Sequence, residues 1–474
     1  MQIVICLQPG LFLYIFIMKD TKLETITAWA KRRGFVYPSS EIYGGLANTY
    51  DFGPYGIELK NNLRDSWWKN FVTQREDVVG IDASTIINPK VWEASGHTKA
   101  FADAMVECKN CHTRTRADHL IEDKVDTKVE GLSLEKLEEI INENKLKCPT
   151  CGKFDWTKPR HFNQLFETSI GIIKGEKNTA YLRGEIAQGI FINYKNVLDS
   201  MRVRIPFGIA QAGKAFRNEI TMGQFTFRTL EFDLMEFEFF IRETEWEKWY
   251  GYWKEQIYDW YKSIGIMPDQ LRWREHTPEE RAHYSSMTED LEYQFPFGWK
   301  EMAACAYRGN FDLTNHQQHS GANLEYIDPV SKERFIPHVI EPTFGLSRLM
   351  TVLFFDCYTE EKLENGNTRT VFKINPKLAP VKAAIFPLQK DEKLRGLARD
   401  IFTELKQNYN CEFDDSGNIG KMYRRQDEIG TPFCITVDYD SVEKKSVTVR
   451  DRDTMQQERI EVAKLAEYLK EKLQ

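Results

Sequence analysis

The sequence has no excess of positive charge. Its 474 residues include 64 lysines and arginines against 71 aspartates and glutamates, which gives a formal net charge of −7. Proteins that bind nucleic acid through bulk charge are basic, so the composition excludes that class. Any contact with RNA must come from a local patch or from a folded site.

Long apolar runs are also scarce. Residues 1–17 (MQIVICLQPGLFLYIFI) carry no charge, but they are slightly too few for a membrane-spanning helix and they contain Pro9 and Gly10. They also lack the basic start and the small-residue cleavage site of a signal peptide. We interpret them as an extension upstream of a true start at Met18, with a membrane-facing N-terminus as the alternative. The remaining chain predicts a soluble, cytoplasmic protein that does not bind membranes.

The length predicts two or three domains. Aromatic residues make up 13% of the chain, which argues against disorder, and the sequence contains no internal repeat. The stretch around Asn375, Pro376 and Pro380 predicts a linker. After it, strand and helix patterns alternate as in a small α/β domain.

Basic residues of this last domain could form a patch that faces phosphates. The candidates are Lys421, Arg424, Arg425, Arg450 and Arg452. The alternative is an ordinary charged surface.

Four of the nine cysteines form two closely spaced pairs. The pairs are Cys108-x-x-Cys111 and Cys148-x-x-Cys151, and a charged helix is predicted between them around 133–146. This spacing is typical of a cytosolic metal site rather than of a secreted disulfide framework. Four thiolates suit a tetrahedral structural zinc ion. The alternatives are two redox dithiols or a degenerate ribbon without metal.

An amphipathic helix follows the glycine-rich loop at 44–56. Its apolar residues Leu59, Leu63, Trp67 and Phe71 recur every four positions. This stripe predicts packing against the core or against a second subunit.

Charged residues alternate along predicted strands at 181–189 and 214–240. The two-residue period predicts three groups of residues, and the members of each group lie on one face of their strand. The groups are Arg183 with Glu185, Arg217 with Glu219, and Arg228 with Phe232 and Glu236. If the two long strands of 214–240 pair antiparallel, the last two groups form one patch of guanidinium groups, carboxylates and a ring. Such a patch is unfavourable inside a protein unless it faces a ligand. The alternative is an ion-paired, solvated face.

Residues 243–290 have a helical pattern, and a last strand is predicted at 334–345. Glu341 and Thr343 lie on one face of that strand, and Arg348 lies in the first turn of the helix that follows. A cation in the first turn opposes the helix dipole, so its presence favours an anion held nearby.

Three short motifs resemble those of class II aminoacyl-tRNA synthetases: FRNE (216–219), FRTLEF (227–232) and EPTFGLSR (341–348). Longer segments resemble the glycyl-tRNA synthetase family of the dimeric, single-chain type. They are GGLANTYDFGPYGIELKNNL, NPKVWEASGHTKAF, LRGEIAQGIF, AHYSSMTEDLEYQFPFGWKE and GNIGKMYRRQDEIGTPFCITVD. The resemblance runs in order over residues 18–474.

The resemblance implies an α+β fold. It implies a class II antiparallel sheet flanked by helices at 18–375, a cysteine-bearing insertion at 108–155 and an α/β anticodon-binding domain at 380–474. Motifs 1, 2 and 3 would lie at about 45–90, 213–241 and 334–356. Motif 1 would form much of a homodimer interface.

The resemblance also implies an activity. Glycine and ATP, bound with Mg²⁺, would give glycyl-adenylate and pyrophosphate, and the glycyl group would then pass to the 3′ end of tRNA(Gly). The attack by the glycine carboxylate on the α-phosphorus needs no general base, because the carboxylate is already a nucleophile at neutral pH. Alignment and guanidinium charge would supply the catalysis.

Individual roles follow from the same resemblance. Catalysis is assigned to Arg217 at the α-phosphate and to Arg228 and Arg348 at the γ-phosphate. Glu219 would accept from the adenine amino group and Phe232 would stack on the base. The remaining ATP contacts are Asn218, Phe227, Glu301, Met302 and Gly345; the glycine contacts are Arg116, Glu185, Glu236, Glu341 and Thr343; the tRNA contacts are Arg424 and Arg425.

Several positions depart from the family's pattern. They are Gly184, Leu230, Ser347, Thr343 and the run Ala304, Cys305 and Ala306. Two alternative functions remain at this point: a catalytically inert, dimeric relative that binds nucleic acid, and a synthetase for another amino acid. The first should have lost the ATP-binding arginines, but Arg217, Arg228 and Arg348 are present.

Overall fold

The computed structural model describes most of the chain. The described residues are 3–4, 16–17, 22–122, 124–125, 129, 132–171, 178–220, 224–278, 280–363 and 366–473. Residues 3–4 and 16–17 form two short antiparallel strands. The rest of the predicted extension 1–17 lies outside the described residues.

The N-terminal part of the chain contributes helices that cover the main sheet. Its elements are β1 (Ile3–Val4), β2 (Phe16–Ile17), α1 (Leu23–Arg32), β3 (Val36–Pro38), β4 (Tyr50–Phe52), α2 (Pro54–Trp68), β5 (Val78–Gly80), α3 (Pro89–Ala94) and α4 (His97–Ala100). Helix α2 continues as a π-helical turn at Lys69–Thr73. The predicted stripe of Leu59, Leu63, Trp67 and Phe71 is buried in the core of the chain itself.

A small unit between 102 and 163 carries the cysteine pairs. Its elements are β6 (Ala102–Glu107), β7 (Arg114–Arg116), α5 (Ala117–Glu122), α6 (Leu134–Glu143) and β8 (Arg160–Asn163). The strands pair in the order β7-β6-β8, and α5 and α6 enclose a separate apolar cluster. The helix predicted around 133–146 is therefore α6, whose first turn is capped by the Ser133 side chain.

The central part of the chain forms the main sheet and its helices. Its elements are β9 (Phe166–Ile170), β10 (Asn178–Leu182), α7 (Ala187–Met201), β11 (Phe207–Phe216), β12 (Glu231–Ile241), α8 (Trp246–Ser263), β13 (Leu271–Glu275), β14 (Met287–Phe295), β15 (Gly298–Gly309), α9 (Phe311–Ser320), β16 (Tyr326–Ile327), β17 (Arg334–Phe335), β18 (His338–Gly345), α10 (Leu346–Cys357), β19 (Tyr358–Lys362) and β20 (Thr368–Phe372).

Seven of the described strands form the main sheet, in the order β13-β14-β15-β18-β12-β11-β5. All neighbours are antiparallel except β11 and β5, which are parallel. This sheet flanked by helices is the architecture that the sequence predicts. The helical interpretation of 243–290 is wrong beyond Ser263, because the segment continues into β13 and the start of β14, which pair antiparallel in the main sheet.

Alternation along the central strands separates an apolar face from a charged one. On β12, Met235, Phe237 and Phe239 join the main core beneath α2, α8 and α10. Glu236 and Glu238 therefore point to the opposite face. That face is covered by α7 at one end, where Phe240 packs in a second apolar cluster, and it is open at the other. The open half leaves these strands accessible to a ligand.

The C-terminal unit is a five-stranded α/β layer. Its elements are β21 (Ala383–Pro387), α11 (Glu392–Leu405), β22 (Cys411–Phe413), α12 (Ile419–Ile429), β23 (Phe433–Val437), α13 (Tyr439–Lys444), β24 (Ser446–Asp451), β25 (Gln457–Glu461) and α14 (Leu465–Lys472). The strand order is β22-β21-β23-β24-β25, with the first three strands parallel. This matches the alternating strand and helix patterns of the sequence.

The segment predicted as a linker packs tightly. The carbonyls of Leu378 and Ala379 accept hydrogen bonds from the Asn62 side chain at 3.1 Å each. Leu378 and Ala379 are buried in the main core. The segment therefore fixes the C-terminal unit against α2 rather than leaving it free.

A buried charge network also joins the two units. Asp427 of α12 is 0% exposed and accepts hydrogen bonds from Arg369 of β20 at 2.7 Å and from Arg450 of β24 at 2.9 Å. The Arg369 guanidinium also contacts Glu361 at 2.9 Å. Each charge in this network is compensated by a close partner, which burial requires.

Among the described residues, no helix is both long enough and apolar enough to cross a membrane.

Replacing Asp427 tests the stabilising role of this network. Asp427→Ala leaves two buried guanidinium groups without their shared partner, and we expect a loss of about 3–5 kcal/mol in the free energy of unfolding. Denaturant titration followed by circular dichroism measures it. Asp440→Ala is the matched control, because Asp440 forms an exposed pair with Lys444 at 3.1 Å. A control loss of more than about 1 kcal/mol, or an equal loss in both variants, would contradict the assignment.

Candidate active site

A cleft of about 350 Å³ opens on the charged face of the main sheet. It contains most of the ATP and glycine residues that the sequence analysis named. Those that line it are Glu185, Arg217, Glu219, Phe227, Arg228, Phe232, Glu236, Glu301, Glu341, Thr343, Gly345 and Arg348. Three of the named residues do not line it: Arg116, Asn218 and Met302.

The strands of the hairpin are shorter than the sequence predicts. Strand β11 ends at Phe216 and β12 begins at Glu231, so Arg217, Glu219 and Arg228 all lie in the connection rather than on strand faces. The shared faces assigned to them by a two-residue period are therefore wrong. Phe232 and Glu236 do share a face of β12, as predicted, and the two strands pair antiparallel. The connection folds back so that the arginines still reach the cleft.

Arg217 is held between two aromatic rings. Its guanidinium carbon lies 5.1 Å from the ring centre of Phe101 and 5.3 Å from that of Phe232. Its Nε donates to the Gly184 carbonyl at 3.0 Å, and within the described chain it forms no ion pair. The arginine is thus oriented by rings and a carbonyl, and its charge remains available to an anion.

The other two arginines of the cleft are paired with acids. Arg228 donates to Glu219 at 3.2 Å, and burial lowers the pKa of its guanidinium. Arg348 lies 2.7 Å from the Glu301 carboxylate and packs over the Phe227 ring at 4.9 Å. Burial alone would raise the pKa of Glu301, but the charge of Arg348 holds it below its ordinary value. An anionic ligand would compete with these carboxylates for both arginines.

Gly345 lies at the end of β18 beside the Arg348 side chain. A Cβ atom at this position would approach the Arg348 stem within 3.2 Å, so a larger residue would require that stem to shift slightly. As the sequence predicts, Arg348 lies in the first turn of α10.

Small residues separate the acids of the cleft floor. Ala304 of β15 is opposite Thr343 of β18, and Ala306 is opposite Glu341. Both alanines line the cleft, whereas Cys305 between them is 0% exposed and faces the core. The methyl groups of Ala304 and Thr343 therefore occupy the floor, and the Cys305 side chain has no contact with the cleft.

Glu185 does not share a strand face with Arg183, because β10 ends at Leu182. Arg183 instead donates to the backbone carbonyls of Lys214 and Ala83 at 2.6 and 2.8 Å. Glu185 contacts the Nε2 of His97 at 3.1 Å. Burial raises the pKa of Glu185, but His97 more than compensates and holds that pKa well below its ordinary value. Glu185 is therefore an ionised carboxylate.

Arg308 is a site residue that the sequence analysis missed. It is 1% exposed and donates to Asp312 at 2.8 Å and to Glu341 at 2.9 Å. Its guanidinium lies 3.7 Å from the ring centre of Tyr284, which lines the cleft. An arginine directly after the uncharged run 302–307 was the signal that could have found it. It is the main cation that compensates the carboxylates of the floor.

Negative charge nevertheless exceeds positive charge at this end of the cleft. Burial, followed by the neighbouring Glu341 carboxylate, raises the pKa of Glu236 well above its ordinary value. Burial also raises the pKa of Glu341, although Arg308 opposes the shift. The Oε1 of Glu236 has no hydrogen-bond partner among the described residues. The pocket is therefore suited to a small cation.

A second group missed from the sequence lies near Glu301. His276 contacts Asp290 at 2.7 Å, and Arg274 pairs with Glu280 at 3.1 Å. His276, Asp290 and Glu280 all line the cleft. In the sequence, only position connects these residues with the family pattern. Asp290 lies within the AHYSSMTEDLEYQ segment, and His276 and Glu280 lie just before it.

The three named residues that do not line the cleft have structural contacts. Arg116 pairs with Asp103 at 3.0 Å. The backbone of Asn218 donates to the Gln164 carbonyl at 2.8 Å, and Met302 is buried in the core. Met302 faces away from the cleft because it is adjacent to Glu301 on β15.

The remaining departures from the family pattern have local roles. The Ser347 hydroxyl accepts a hydrogen bond from the Asp233 amide at 3.1 Å. The carbonyl of Leu230 accepts from the Arg217 amide at 2.9 Å. Both contacts brace the hairpin that carries the arginines, as does the Gly184 carbonyl.

The four paired cysteines converge at one point. The sulfurs of Cys108 and Cys151 are 3.6 Å apart, as are those of Cys111 and Cys148. All four lie within 4.8 Å of one another. Tetrahedral Zn–S bonds of roughly 2.3 Å require sulfurs roughly 3.8 Å apart, so the four residues fit such an ion.

The two turns that carry the cysteine pairs have the same backbone hydrogen bond. The amide of His112 donates to the Cys108 carbonyl at 2.8 Å, and the amide of Gly152 donates to the Cys148 carbonyl at 2.9 Å. Hydrogen bonds from Thr113 lower the pKa of Cys111 to about 6, whereas burial raises the pKa of Cys108 to about 11. The convergence of the four sulfurs is the observation that fits the cluster to a metal ion.

The basic residues of the C-terminal unit separate into two groups. Arg450 and Arg452 are 5% and 1% exposed and donate to Asp427 and to the Gly430 carbonyl, so their assignment to a phosphate-facing patch is wrong. They are buried because β24 and the turn after it place them against α12 and its C-terminal end. Lys421 is exposed and Arg424 half-buried on α12. Arg425, also half-buried, pairs with Asp414.

Comparison with known proteins places this chain among enzymes of translation. The sequence profile of a family described as anticodon binding domain matches residues 382–472. The chain is 52% identical to a glycine–tRNA ligase of Geobacillus thermodenitrificans over 456 residues, which cover 95% of this chain and 97% of that protein. It is 51% identical to a glycine–tRNA ligase of Lachnospira eligens over 460 residues, 96% and 99% of the two chains.

The cleft with its arginines and carboxylates, together with the anticodon-binding unit, defines an aminoacyl-tRNA ligase. Sequence identity of about one half over nearly the whole length of both relatives identifies the family. The chain belongs to the glycine–tRNA ligase family.

Metal analysis tests the cysteine cluster. We expect about one zinc ion per chain in the purified protein and far less in the Cys111→Ser/Cys148→Ser double variant, because a closed structural site needs four ligands. Cys411→Ser is the control, since Cys411 is buried in the C-terminal unit. Equal zinc in the double variant and the control would show that the cluster is not the metal site.

Proposed function

We propose that the cleft activates glycine with ATP and that the chain transfers the glycyl group to the 3′ end of tRNA(Gly). The observation that carries this proposal is the division of the cleft. Three arginines gather at one end and buried carboxylates at the other, which suits a triphosphate next to an ammonium group. The family membership supports the same reaction.

The arginine end would hold ATP. Arg217, which forms no ion pair with the described residues, would contact the α-phosphate, and Arg228 and Arg348 would exchange their carboxylates for the γ-phosphate. Phe232 would stack on the adenine and Glu219 would accept from its amino group. Guanidinium groups bind phosphate through paired N–H donors, so three of them favour an extended anion.

The remaining ATP contacts are assigned by resemblance and position. Phe227 and Gly345 line the cleft and support the Arg348 side chain. Met302 would contribute through its backbone only, since its side chain is in the core. Asn218 would contribute through groups other than its backbone amide, which already donates to the Gln164 carbonyl.

The carboxylate end would hold glycine. Glu236 and Glu341 would accept hydrogen bonds from its ammonium group, and Glu185 would add an ionised carboxylate. Thr343 and Ala304 occupy the floor where a larger amino acid would place its side chain. A pocket sized for glycine excludes larger amino acids by steric clash, which is easier than excluding a smaller one, so no editing site is required. Arg116 pairs with Asp103 and does not line this end of the cleft. It would contact glycine only if that ion pair rearranged.

The first step breaks one bond and forms another at phosphorus. A glycine carboxylate oxygen attacks the α-phosphorus, and the bond to the bridging oxygen of the β-phosphate breaks to release pyrophosphate. Arg217 would align the α-phosphate and stabilise its added charge. In the second step a terminal ribose hydroxyl of the tRNA attacks the carbonyl carbon, and AMP leaves.

Asp290 and Glu301 are the residues that would hold Mg²⁺ with ATP. Both line the cleft, and burial with the neighbouring Glu301 charge raises the pKa of Asp290, so a cation between them would relieve repulsion. Carboxylate and phosphate oxygens are the ligands that Mg²⁺ prefers. The ion would neutralise phosphate charge during the transfer.

We also propose that the protein is a homodimer of the single-chain type. Ile42 and Tyr43 are 89% and 87% exposed, directly before the segment assigned to motif 1. Large apolar side chains that are this exposed favour burial against a partner, and a second copy of the chain is the partner that the family implies.

Amino-acid-dependent exchange of pyrophosphate into ATP tests the function. We expect exchange with glycine and with no other member of a panel of amino acids. Arg217→Ala should lower the rate about 10²–10³-fold, because it removes the charge at the α-phosphate. Its far-ultraviolet circular dichroism should stay unchanged.

Arg242→Ala is the matched control for Arg217. Arg242 pairs with Asp328 at 2.8 Å beyond the end of β12 and outside the cleft. Exchange should stay near the unsubstituted rate in this variant. Near-normal exchange in Arg217→Ala, or exchange with a different amino acid, would overturn the assignment.

A variant at the proposed anticodon contact distinguishes the transfer to tRNA from the activation of glycine. We propose that Arg424 and Arg425 contact the tRNA backbone, with Arg424 the more available of the two. Arg424→Ala should raise the KM for tRNA several-fold and leave pyrophosphate exchange unchanged, since a phosphate contact contributes affinity but no chemistry. Lys444→Ala on α13 is the control. An unchanged KM for tRNA in Arg424→Ala would remove the contact from the proposal.

A further inference from the structure

Glu238 is the most deeply buried carboxylate beside the cleft, and the proposed reaction does not use it. It is 0% exposed, and neither of its carboxylate oxygens has a hydrogen-bond partner among the described residues. Along β12 it lies between Glu236, which lines the cleft, and Phe240, which packs beneath α7. A charged carboxylate without donors is unfavourable in such a place.

The strand register puts a second acid directly across from it. On either side, Glu236 pairs with Thr343 and Phe239 pairs with Ile340, so Glu238 of β12 faces Glu341 of β18. The carboxylate oxygens of Glu236, Glu238 and Glu341 lie within 4.8 Å of one another. Like charges directly opposite each other on neighbouring strands repel. Two carboxyl groups in this arrangement avoid the repulsion when they share one proton.

The cations that face this group are already engaged. Arg308 directs hydrogen bonds to both oxygens of Asp312 and to Glu341. Arg183 is attracted to Glu236 but donates to backbone carbonyls. The described contacts therefore give Glu238 no positive partner.

The chemistry of the group is consistent with a retained proton. Burial, followed by the charge of Glu341, raises the pKa of Glu238 well above its ordinary value. A carboxylic acid that keeps its proton has a hydroxyl group that can donate, which a carboxylate does not. Directly across the strands is Glu341, which has a carboxylate oxygen within 4.8 Å of one on Glu238.

We propose that Glu238 is a positioning residue that keeps its proton and donates it in a hydrogen bond to the Glu341 carboxylate. This inference rests on the proposed function, in which Glu341 contacts the ammonium group of glycine. Arg308 holds one Glu341 oxygen, and the Glu238 hydroxyl orients the carboxylate from the adjacent strand. The neutral Glu238 also keeps the floor from accumulating a further negative charge.

Kinetics of two variants test the role. Glu238→Gln keeps a neutral donor of the same shape, so the KM for glycine should stay within about twofold. Glu238→Ala removes the donor, and the KM for glycine should rise about tenfold while the KM for ATP is unchanged. Loss of glycine activation in Glu238→Gln would show that the residue acts as an anion and would overturn the proposal. A normal KM for glycine in Glu238→Ala would also overturn it.

Glu236→Gln supplies a matched contrast on the same face of the same strand. Its carboxylate is proposed to accept directly from the ammonium group, so the amide should raise the KM for glycine where Glu238→Gln does not. Equal effects of the two amide substitutions would contradict the different roles of the two residues.

Infrared spectroscopy reports the proton without any activity. The difference spectrum between the unsubstituted protein and Glu238→Gln at neutral pH should contain the carbonyl band of a protonated carboxylic acid. A carboxylate band in its place would overturn the proposal, whether or not the variants are active. Absence of glycine-dependent exchange in the unsubstituted protein would instead refute the proposed function. The infrared result would then still decide whether Glu238 is protonated.

Discussion

The compensation of buried carboxylates is the constraint on which this structure depends. One face of the main sheet is apolar and packs against helices, and the other carries acids in a place where burial penalises charge. Glu341 is compensated by Arg308, Glu185 by His97, and Glu301 by Arg348. Every one of these pairs positions a carboxylate, and all three carboxylates line the cleft. The ligand site is therefore the part of the charged face where compensation is left incomplete.

Elements far from the cleft help to hold it. Phe101, which packs on Arg217, stands directly before β6, and β6 leads to the turn that contains Cys108. A metal ion in the cysteine cluster would thus brace the strand next to Arg217, the arginine proposed to contact the α-phosphate. On the opposite side, Asp427 joins α12 to the hairpin that follows α10. The helix proposed to meet tRNA and the helix that carries Arg348 are connected through these buried contacts.

Periodicity and spacing predicted features that depend on neighbouring residues only. The stripe of α2, the convergence of Glu341 and Thr343 on one face, and the position of Arg348 in a first turn are of this kind. The ends of strands were less predictable, because β11 stops before Arg217 for reasons of tertiary packing rather than of alternation. Arg450 was assigned to the surface for the same reason, since a strand of mixed charge does not reveal which helix will cover it.

The amino-acid sequence by itself determined the class of fold, the cysteine pairs and the residues that carry the family's motifs. These follow from local order along the chain, where spacing is sufficient. Only the tertiary structure decided which acids are compensated, since Arg308 reaches Glu341 from another strand and, among the described residues, no hydrogen-bond donor reaches Glu238. The energy of a buried charge depends on what surrounds it in three dimensions, and a linear sequence does not state those neighbours.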